Sequence, residues 1–334
     1  MKVLLTGGTG FVGPVVAKSL AARGHEIRAL VRRTSNKAGL EAVGGVEFAY
    51  GDVCDADSLP AALEGVDAVM HVAAVTKGLT RDDYFRVNHF GTRQLAEAAV
   101  AAGVPRFVHC STLAVAGPMP HGRPSLEEDE CKPVSLYGTS KLAGEEAVRR
   151  HADKLHLTIV RPPIVYGPRD RDFFEVFKMG ALGVGLKIGL VGSKRYSIIH
   201  VDDLGEVLAV ALEKGRRVAG LQGGEGVYHV SDGGLYTWEE LIRQAGAALG
   251  RKNTVVLPVP ESLSWPAGLW GSLAGRLSGK PQIVNLDKVR ESAGPGWACS
   301  IDRARSELGW EPGVPLEKGL AETAAWYREN RWIK

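Results

Sequence analysis

The sequence predicts an α/β chain: a doubly wound parallel sheet followed by a smaller C-terminal substrate-binding region. Three observations lead there. A strand-like run, Val3–Leu5, meets the glycine turn Thr6-Gly7-Gly8-Thr9-Gly10-Phe11-Val12-Gly13 and then an apolar, Ala-rich helical stretch, Val15 to Ala22. Short apolar runs alternate with helical patterns through the first half, the signature of βαβ units. After about residue 165 the pattern turns irregular, and six of the seven tryptophans lie beyond residue 260.

The strand and helix assignments follow the apolar periodicity. Strands are expected at Val3–Leu5, Ile27–Val31, Val46–Ala49, Ala68–Val72, Phe107–Cys110 and Leu157–Val160, with helices at Tyr84–Ala102 and Leu136–His151 among those between. Right-handed crossovers put the strand carboxyl ends, and hence a ligand, along one edge. Residues 1–165 are expected to form the nucleotide-binding domain and 166–334 mainly the substrate region. The stretch of about 196–215, with Ile198–Leu212 read as strand and helix, is expected to return to the sheet.

Composition bounds the function. The 334 residues carry a net charge of +3 with no long Lys/Arg block, which argues against nucleic acid as a partner. Cys54, Cys110, Cys131 and Cys299 lack metal-type spacing, so no metal site is expected and a reduced, cytoplasmic chain is. No apolar run reaches membrane-spanning length.

In the turn, Gly7 allows the tight exit from the strand. Gly10 lets the backbone approach a pyrophosphate, and Gly13 lets the helix pack closely on the sheet. Thr9, Phe11 and Val12 lie on the same loop. At the end of the second strand an NAD site usually carries an acidic residue for the ribose hydroxyls; here Val31 is followed by Arg32 and Arg33. Arginine suits a 2′-phosphate through paired hydrogen bonds. NADP(H) is therefore favoured, with NAD(H) the alternative if the arginines only decorate a loop. Asp52 and Val53 end the third strand and suit adenine contacts. Ala73 and Ala74, small residues after the fourth strand, let a cofactor lie flat. His71 and His200 read as core residues, and Asp202 as the cap of the helix that follows it.

Tyr137-Gly138-Thr139-Ser140-Lys141 sets a phenol and an ammonium on one helical face. A phenol of pKa ~10 is a poor base at neutral pH. A nearby ammonium lowers that pKa, and the pair then exchanges a proton with an alcohol or carbonyl oxygen. Thr112, at the end of the fifth strand, either hydrogen-bonds the same oxygen or merely caps the turn.

Together these residues resemble the extended short-chain dehydrogenase/reductase family, the NAD-dependent epimerase/dehydratase superfamily. Thr6 to Gly13 matches its TGxxGxxG turn. Arg161-Pro162-Pro163-Ile164-Val165-Tyr166-Gly167-Pro168 resembles its RPxxVYGP segment, and His200 to Leu204 another recurrent stretch. The resemblance implies a Rossmann fold, Tyr137 as proton donor or acceptor, Lys141 also on the nicotinamide ribose, and nicotinamide contacts around Pro162 and Val165. Thr112 falls at the family's catalytic Ser/Thr, five residues before Gly117; Ala116 stands where a tyrosine is usual. The resemblance also implies a homodimer through the Tyr84–Ala102 and Leu136–His151 helices.

Within the family, the closer resemblance is to 3β-hydroxysteroid dehydrogenases and dihydroflavonol reductases. These imply a small, apolar substrate bearing a ketone or secondary alcohol: steroid-, flavonoid- or β-keto-like. The epimerase/dehydratase branch often has an arginine four residues before the HVDD-like histidine; here Tyr196 stands there, with Arg195 one place off. A nucleotide-sensing protein without turnover is a third class, against which the tyrosine–lysine pair argues. Finally, Val259 to Gly279 carries Leu263, Trp265, Leu269, Trp270, Leu273 and Leu277 on one apolar face. It reads as a pocket roof, a peripheral membrane contact, core, or a dimer contact.

Overall fold

The computed structural model describes residues 1–190, 194–280, 282 and 285–333. β1 (Lys2–Thr6), β2 (Glu26–Val31), β3 (Val46–Tyr50), β4 (Ala68–His71), β5 (Arg106–Cys110) and β6 (His156–Arg161) pair in parallel. A seventh strand, Val227–His229, which the sequence pattern does not single out, adds beside β6. The spatial order is Val227–His229, β6, β5, β4, β1, β2, β3. Strand order reverses between β1 and β4, and such a switch point opens a crevice at the carboxyl ends. The glycine turn follows β1 directly, so it lies at that crevice.

Both faces of the sheet are covered, which is why its strands are apolar on both sides. Val3 and Leu5, Ile27 and Ala29, and Met70 and Val108 face one layer, made of α1 (Gly13–Ala22) and the Val201–Lys214 helix. Leu4, Leu30, Val69, Phe107, Leu157 and Ile159 face the opposite layer, with Leu95, Ala96 and Ala99 of the Thr92–Ala101 helix and Val148 of the Leu136–Arg149 helix. This is the period-two alternation of a pleated strand. A separate core gathers Tyr166, Phe173, Phe177, Leu241, Ile242, Leu320 and Tyr327 from beyond residue 165.

Three sequence expectations need correction. The Tyr84–Ala102 helix is not uniform: Arg81–Phe85 runs into a π-turn at Arg86–Gly91 before the regular Thr92–Ala101 helix. Asn88, buried in the π-turn, spends its side-chain amide on other segments, and the wide turn accommodates it. Ile198–His200 does not join the main sheet; it pairs in parallel with Ile164–Tyr166, while the Val201–Lys214 helix that follows does pack on the sheet. His200, not Asp202, caps that helix, its Nδ1 accepting the Asp202 N–H at 3.3 Å. Asp202 lies in the first turn instead, where its charge complements the helix dipole.

Two histidines are locked neutral by burial. His71 is bound by Thr6 Oγ1 at Nδ1 (2.7 Å) and Thr92 Oγ1 at Nε2 (2.8 Å). Thr92 spends its own proton on the Asn88 carbonyl, so Nε2 donates and Nδ1 accepts. Burial lowers the pKa of both His71 and His229 to about 3. The unfolded chain, with histidines near ~6.5, therefore binds more protons than the folded one as pH falls. Stability is full above about pH 6.5 and declines progressively below it. Thermal denaturation should show a falling midpoint between pH 7 and pH 5. A midpoint that rises over that range contradicts the assignment.

Candidate active site

The glycine turn divides its work. Gly7 has φ +75°, and a Cβ on it would lie 2.5 Å from the Ala73 nitrogen; one on Gly13 would lie 2.4 Å from the Gly7 oxygen. The protein's own packing requires both glycines. Gly10 differs: its φ is not positive, it is exposed, and an added Cβ would meet only the Gly7 oxygen, at 3.3 Å. Its missing side chain leaves open the approach to the turn. α1 begins at Gly13 with Val12 as its cap residue, no side-chain cap and no acidic group in the first turn. The positive end of this helix is thus uncompensated by the chain, as a pyrophosphate site requires. Thr9, Phe11 and Val12 are partly exposed on the same loop, and Ala73 packs beneath Gly7 with Ala74 exposed beside it. These features fit a dinucleotide.

Cations gather at the end of β2. The Arg32 and Arg33 side chains are exposed, and the Arg33 guanidinium lies 5.2 Å from the centre of the Tyr50 ring. Lys37, which the sequence pattern does not single out, donates to the Tyr50 hydroxyl at 3.1 Å. One carboxylate oxygen of Asp52 accepts the Cys54 N–H at 2.9 Å, and the other stands 4.0 Å from Arg32 Nη1. Val53 is buried against the π-turn at Gly91. Arg169 adds a further charge. Its φ of +78° is unusual for a side-chain-bearing residue. A Cβ on Gly39 would meet both Arg169 Nη1 (3.0 Å) and Pro14 (2.9 Å), so this guanidinium lies close to the first turn of α1.

Thr112, Tyr137 and Lys141 come together at the carboxyl end of β5. The Leu136–Arg149 helix starts at Ser135, whose Oγ accepts the Gly138 N–H at 3.0 Å. Asp287, distant in sequence, takes the backbone N–H groups of Leu136 (2.9 Å) and Tyr137 (3.4 Å) on its carboxylate. Thr112 is largely buried; its hydroxyl accepts the Ala114 N–H at 3.2 Å and lies near the Tyr137 phenol. It caps the turn, as one of its two readings has it. Buried Lys141 donates to the Cys110 carbonyl at 2.8 Å. Pro162 accepts the Leu113 N–H at 2.7 Å beside them, and Val165 pairs with Ile199.

The expected lowering of the Tyr137 pKa by Lys141 does not appear. Burial raises the phenol, with Thr112 opposing it, and burial lowers the Lys141 ammonium. Desolvation disfavours the charged form of each and is the largest cause for both; what opposes it is Thr112 at the phenol and Cys110 and Glu145 at the ammonium, not the pair's own attraction. The phenol is therefore held protonated through neutral pH, as a proton donor must be.

Asn88 is the site residue that sequence reasoning missed. Its amide clasps both backbone groups of Val75 (2.8 and 2.9 Å) and donates to Ser140 Oγ (2.9 Å), which in turn donates to the Tyr137 carbonyl (2.7 Å). An asparagine amid a helical apolar pattern is the signal that could have found it. Gly144 permits the contact: a Cβ there would lie 2.2 Å from the Asn88 oxygen. Farther along the helix, Glu145 accepts from Arg161 Nε (2.9 Å) and Nη2 (2.6 Å), and both side chains are almost wholly buried. The arginine of the RPxxVYGP-like segment thus ties the Leu136–Arg149 helix to β6.

Removing one partner of this pair leaves a buried charge alone. Arg161→Met should cost about 3–5 kcal/mol of stability, read from the urea midpoint. The double replacement Glu145→Leu with Arg161→Met should recover much of that loss. A single-variant cost below about 1 kcal/mol would mean that the pair behaves as a surface bridge and does not anchor the helix.

Comparison with known proteins agrees with this geometry. The family model described as "NAD dependent epimerase/dehydratase family" matches residues 3–224. The ceramide reductase of Caulobacter vibrioides is 34% identical over 99% of this chain and 96% of its own. The 3-beta-hydroxysteroid dehydrogenase of Mycolicibacterium neoaurum is 28% identical over 98% of this chain and 92% of its own. The crystal structure of Thermus thermophilus UDP-glucose 4-epimerase in complex with NAD superposes with a TM-score of 0.75 at 25% identity, covering 98% of this chain and 99% of that one. A chain similar to all three, end to end, is an NAD(P)-dependent oxidoreductase acting on CH–OH groups. It belongs to the NAD-dependent epimerase/dehydratase family of extended short-chain dehydrogenases/reductases.

Proposed function

We propose that this chain is an NADP(H)-dependent reductase of a ketone on an apolar molecule: steroid-like, flavonoid-like or a long-chain β-keto compound. The observation that carries the substrate class is at the HVDD-like stretch. A nucleotide sugar carries a diphosphate that needs a cation facing its pocket. At the position where the sugar-nucleotide branch often has arginine, Tyr196 packs its ring against Trp238, 5.7 Å between centroids. Neighbouring Arg195 is turned to the Leu235 carbonyl (3.5 Å) and the Glu240 carboxylate (3.9 Å). Leu113, Ala116, Cys299 and Trp297 form an apolar cluster directly after Thr112. The names of the ceramide reductase and the steroid dehydrogenase point the same way.

The residues then divide the task. Gly7, Thr9, Gly10, Phe11 and Val12, at the amino end of α1, hold the pyrophosphate. Arg32 and Arg33, with Lys37, hold the 2′-phosphate, and Arg169 adds charge near the first turn of α1. Asp52 and Val53 flank the adenine; Ala73 and Ala74 lie along the cofactor, and Pro162 and Val165 border the nicotinamide end. A bound nicotinamide supplies the hydride. Tyr137 keeps its proton on Oη and passes it to the substrate oxygen, and Thr112 donates a hydrogen bond where that oxygen gains charge. Lys141 lies one helical turn from Tyr137, in reach of the nicotinamide ribose. The substrate enters from the side of residues 166–334. The alternative is a nucleotide-sugar epimerase or dehydratase, in which the cofactor is regenerated within the cycle and NADPH is not consumed.

The test is NADPH and NADH oxidation against 3-ketosteroids, long-chain 3-keto compounds and UDP- or dTDP-sugars. Consumption of NADPH with an apolar ketone is the expected result; an altered sugar nucleotide without net consumption overturns the reading. Tyr137→Phe should lower turnover about 10²–10⁴-fold with cofactor binding intact, and retention of most activity would sink the proton-donor role. Arg32→Ala should weaken NADPH by about ten- to a hundredfold and NADH little; equal weakening rejects the 2′-phosphate contact. Because burial raises the Tyr137 phenol, reduction should stay level across neutral pH and fall only in the alkaline range, while oxidation rises with pH. A reductive profile already falling at neutral pH would show that another group titrates.

A further inference from the structure

The Glu261–Ser278 helix is built inside out. Ser264, Gly268 and Gly275 are its buried residues; a Cβ on Gly268 would meet Val289 at 2.6 Å, and one on Gly275 would meet Leu79 at 3.2 Å. Small residues therefore face the protein. Leu263, Trp265, Leu269, Trp270, Leu273 and Leu277 face water, with Trp270 74% and Leu277 90% exposed. The face is not core, which removes one of the readings its sequence allowed. Helix Glu261–Ser278 follows strand Val255–Val259 through Pro260, and that strand pairs in register with Val184–Ile188. Val255 and Leu257 there, and Leu182, Val184, Leu186 and Leu190 opposite, are exposed as well. Among the described residues, twelve of the nineteen exposed large apolar side chains lie in these two short stretches. Apolar exposure so concentrated in two stretches of the chain marks a contact surface.

Charge identifies the partner. Residues 251–280 contain Arg251, Lys252, Arg276 and Lys280 against one acid, Glu261, in a protein whose cations and anions otherwise nearly balance. Among the described residues none of these four cations is paired with a carboxylate. A second copy of the chain, meeting this surface with the same surface, would bring like charges together. Within the helix Arg276 is balanced by Glu261, and the excess comes from Arg251 and Lys252 ahead of the strand and Lys280 just past the helix; an apolar Leu/Trp face flanked by cations suits the interface of an anionic bilayer. No helix of the described residues is long and apolar enough to cross the bilayer.

We propose that this surface docks the protein on an anionic lipid bilayer. The inference stands apart from the substrate proposed above. It has a consequence for the site, because the adjoining Leu286–Ala293 helix carries Asp287 onto the backbone of Tyr137. A docked surface lies one helix from the proton donor.

The full chain would be sedimented with phosphatidylcholine vesicles, with and without phosphatidylglycerol. Wild type, Trp270→Ser with Leu277→Ser, and Arg276→Glu with Lys280→Glu would be compared, with circular dichroism and NADPH binding confirming that each variant folds. Expected is pelleting with phosphatidylglycerol vesicles, weakened by salt and reduced at least about tenfold in both double variants. No wild-type pelleting, equal pelleting of the variants, or equal pelleting with neutral vesicles overturns the proposal. A concentration-dependent dimer lost in the Trp270/Leu277 variant, without vesicle binding, overturns it in favour of a second copy.

Discussion

The proposed chemistry depends on holding one helix, Leu136–Arg149, against the carboxyl end of β5. Three unrelated contacts do this along its length. Ser135 and Asp287 take the free N–H groups of its first turn. In its second half, Gly144 lets it close on the Asn88 backbone, while Glu145 is clamped by Arg161 of β6. A general acid must stay within hydrogen-bond reach of the atom it serves. A carboxylate–guanidinium pair buried this deeply is costly to assemble, since both charges leave water. What it contributes in return is position: a bidentate bond fixes both distance and orientation, and Tyr137 and Lys141 inherit both.

The electrostatics of the pair follow from that burial. A tyrosine–lysine motif read alone suggests a phenol softened by its ammonium. With Lys141 buried and Tyr137 half-buried, both groups move toward their neutral forms, the phenol up and the ammonium down. In this fold desolvation is the largest cause at both groups, and neither owes its shift to the other; a raised phenol suits donation of a proton better than abstraction of one.

Much of the fold and the local chemistry is legible in the sequence because it is written in contiguous residues. The glycine turn needs only eight positions, the tyrosine–lysine pair five, and alternating strands announce themselves by period. The illegible parts are long-range. Asp287 acts on residues 150 positions away. Asn88 joins Val75 to Ser140, and Lys37 meets the cation cluster only because β2 and β3 lie side by side. The Glu261–Ser278 helix shows a different limit. Its apolar stripe is plain in the sequence, but periodicity cannot say which face meets the protein, and the glycines opposite the stripe decide it.

The two ends of the crevice are under different constraints, and this is why family membership does not fix the substrate. At the cofactor end, Gly7 and Gly13 are fixed by the chain's own packing, since a side chain on either would collide with backbone. Those positions cannot drift while the sheet and α1 keep their contact. At the end proposed for the substrate, Tyr196 packs on Trp238, and neither residue belongs to a strand of the main sheet. Hydride and proton transfer to a carbonyl are the same steps whether the product leaves or is reoxidised in place. What separates a reductase from an epimerase on this scaffold is therefore whether the pocket anchors a charged nucleotide firmly enough to retain the intermediate. A pocket without that anchor would release an alcohol, and the cofactor would then be replaced after each turnover; in the reading proposed above, the exposed Arg32 and Arg33 suit that exchange.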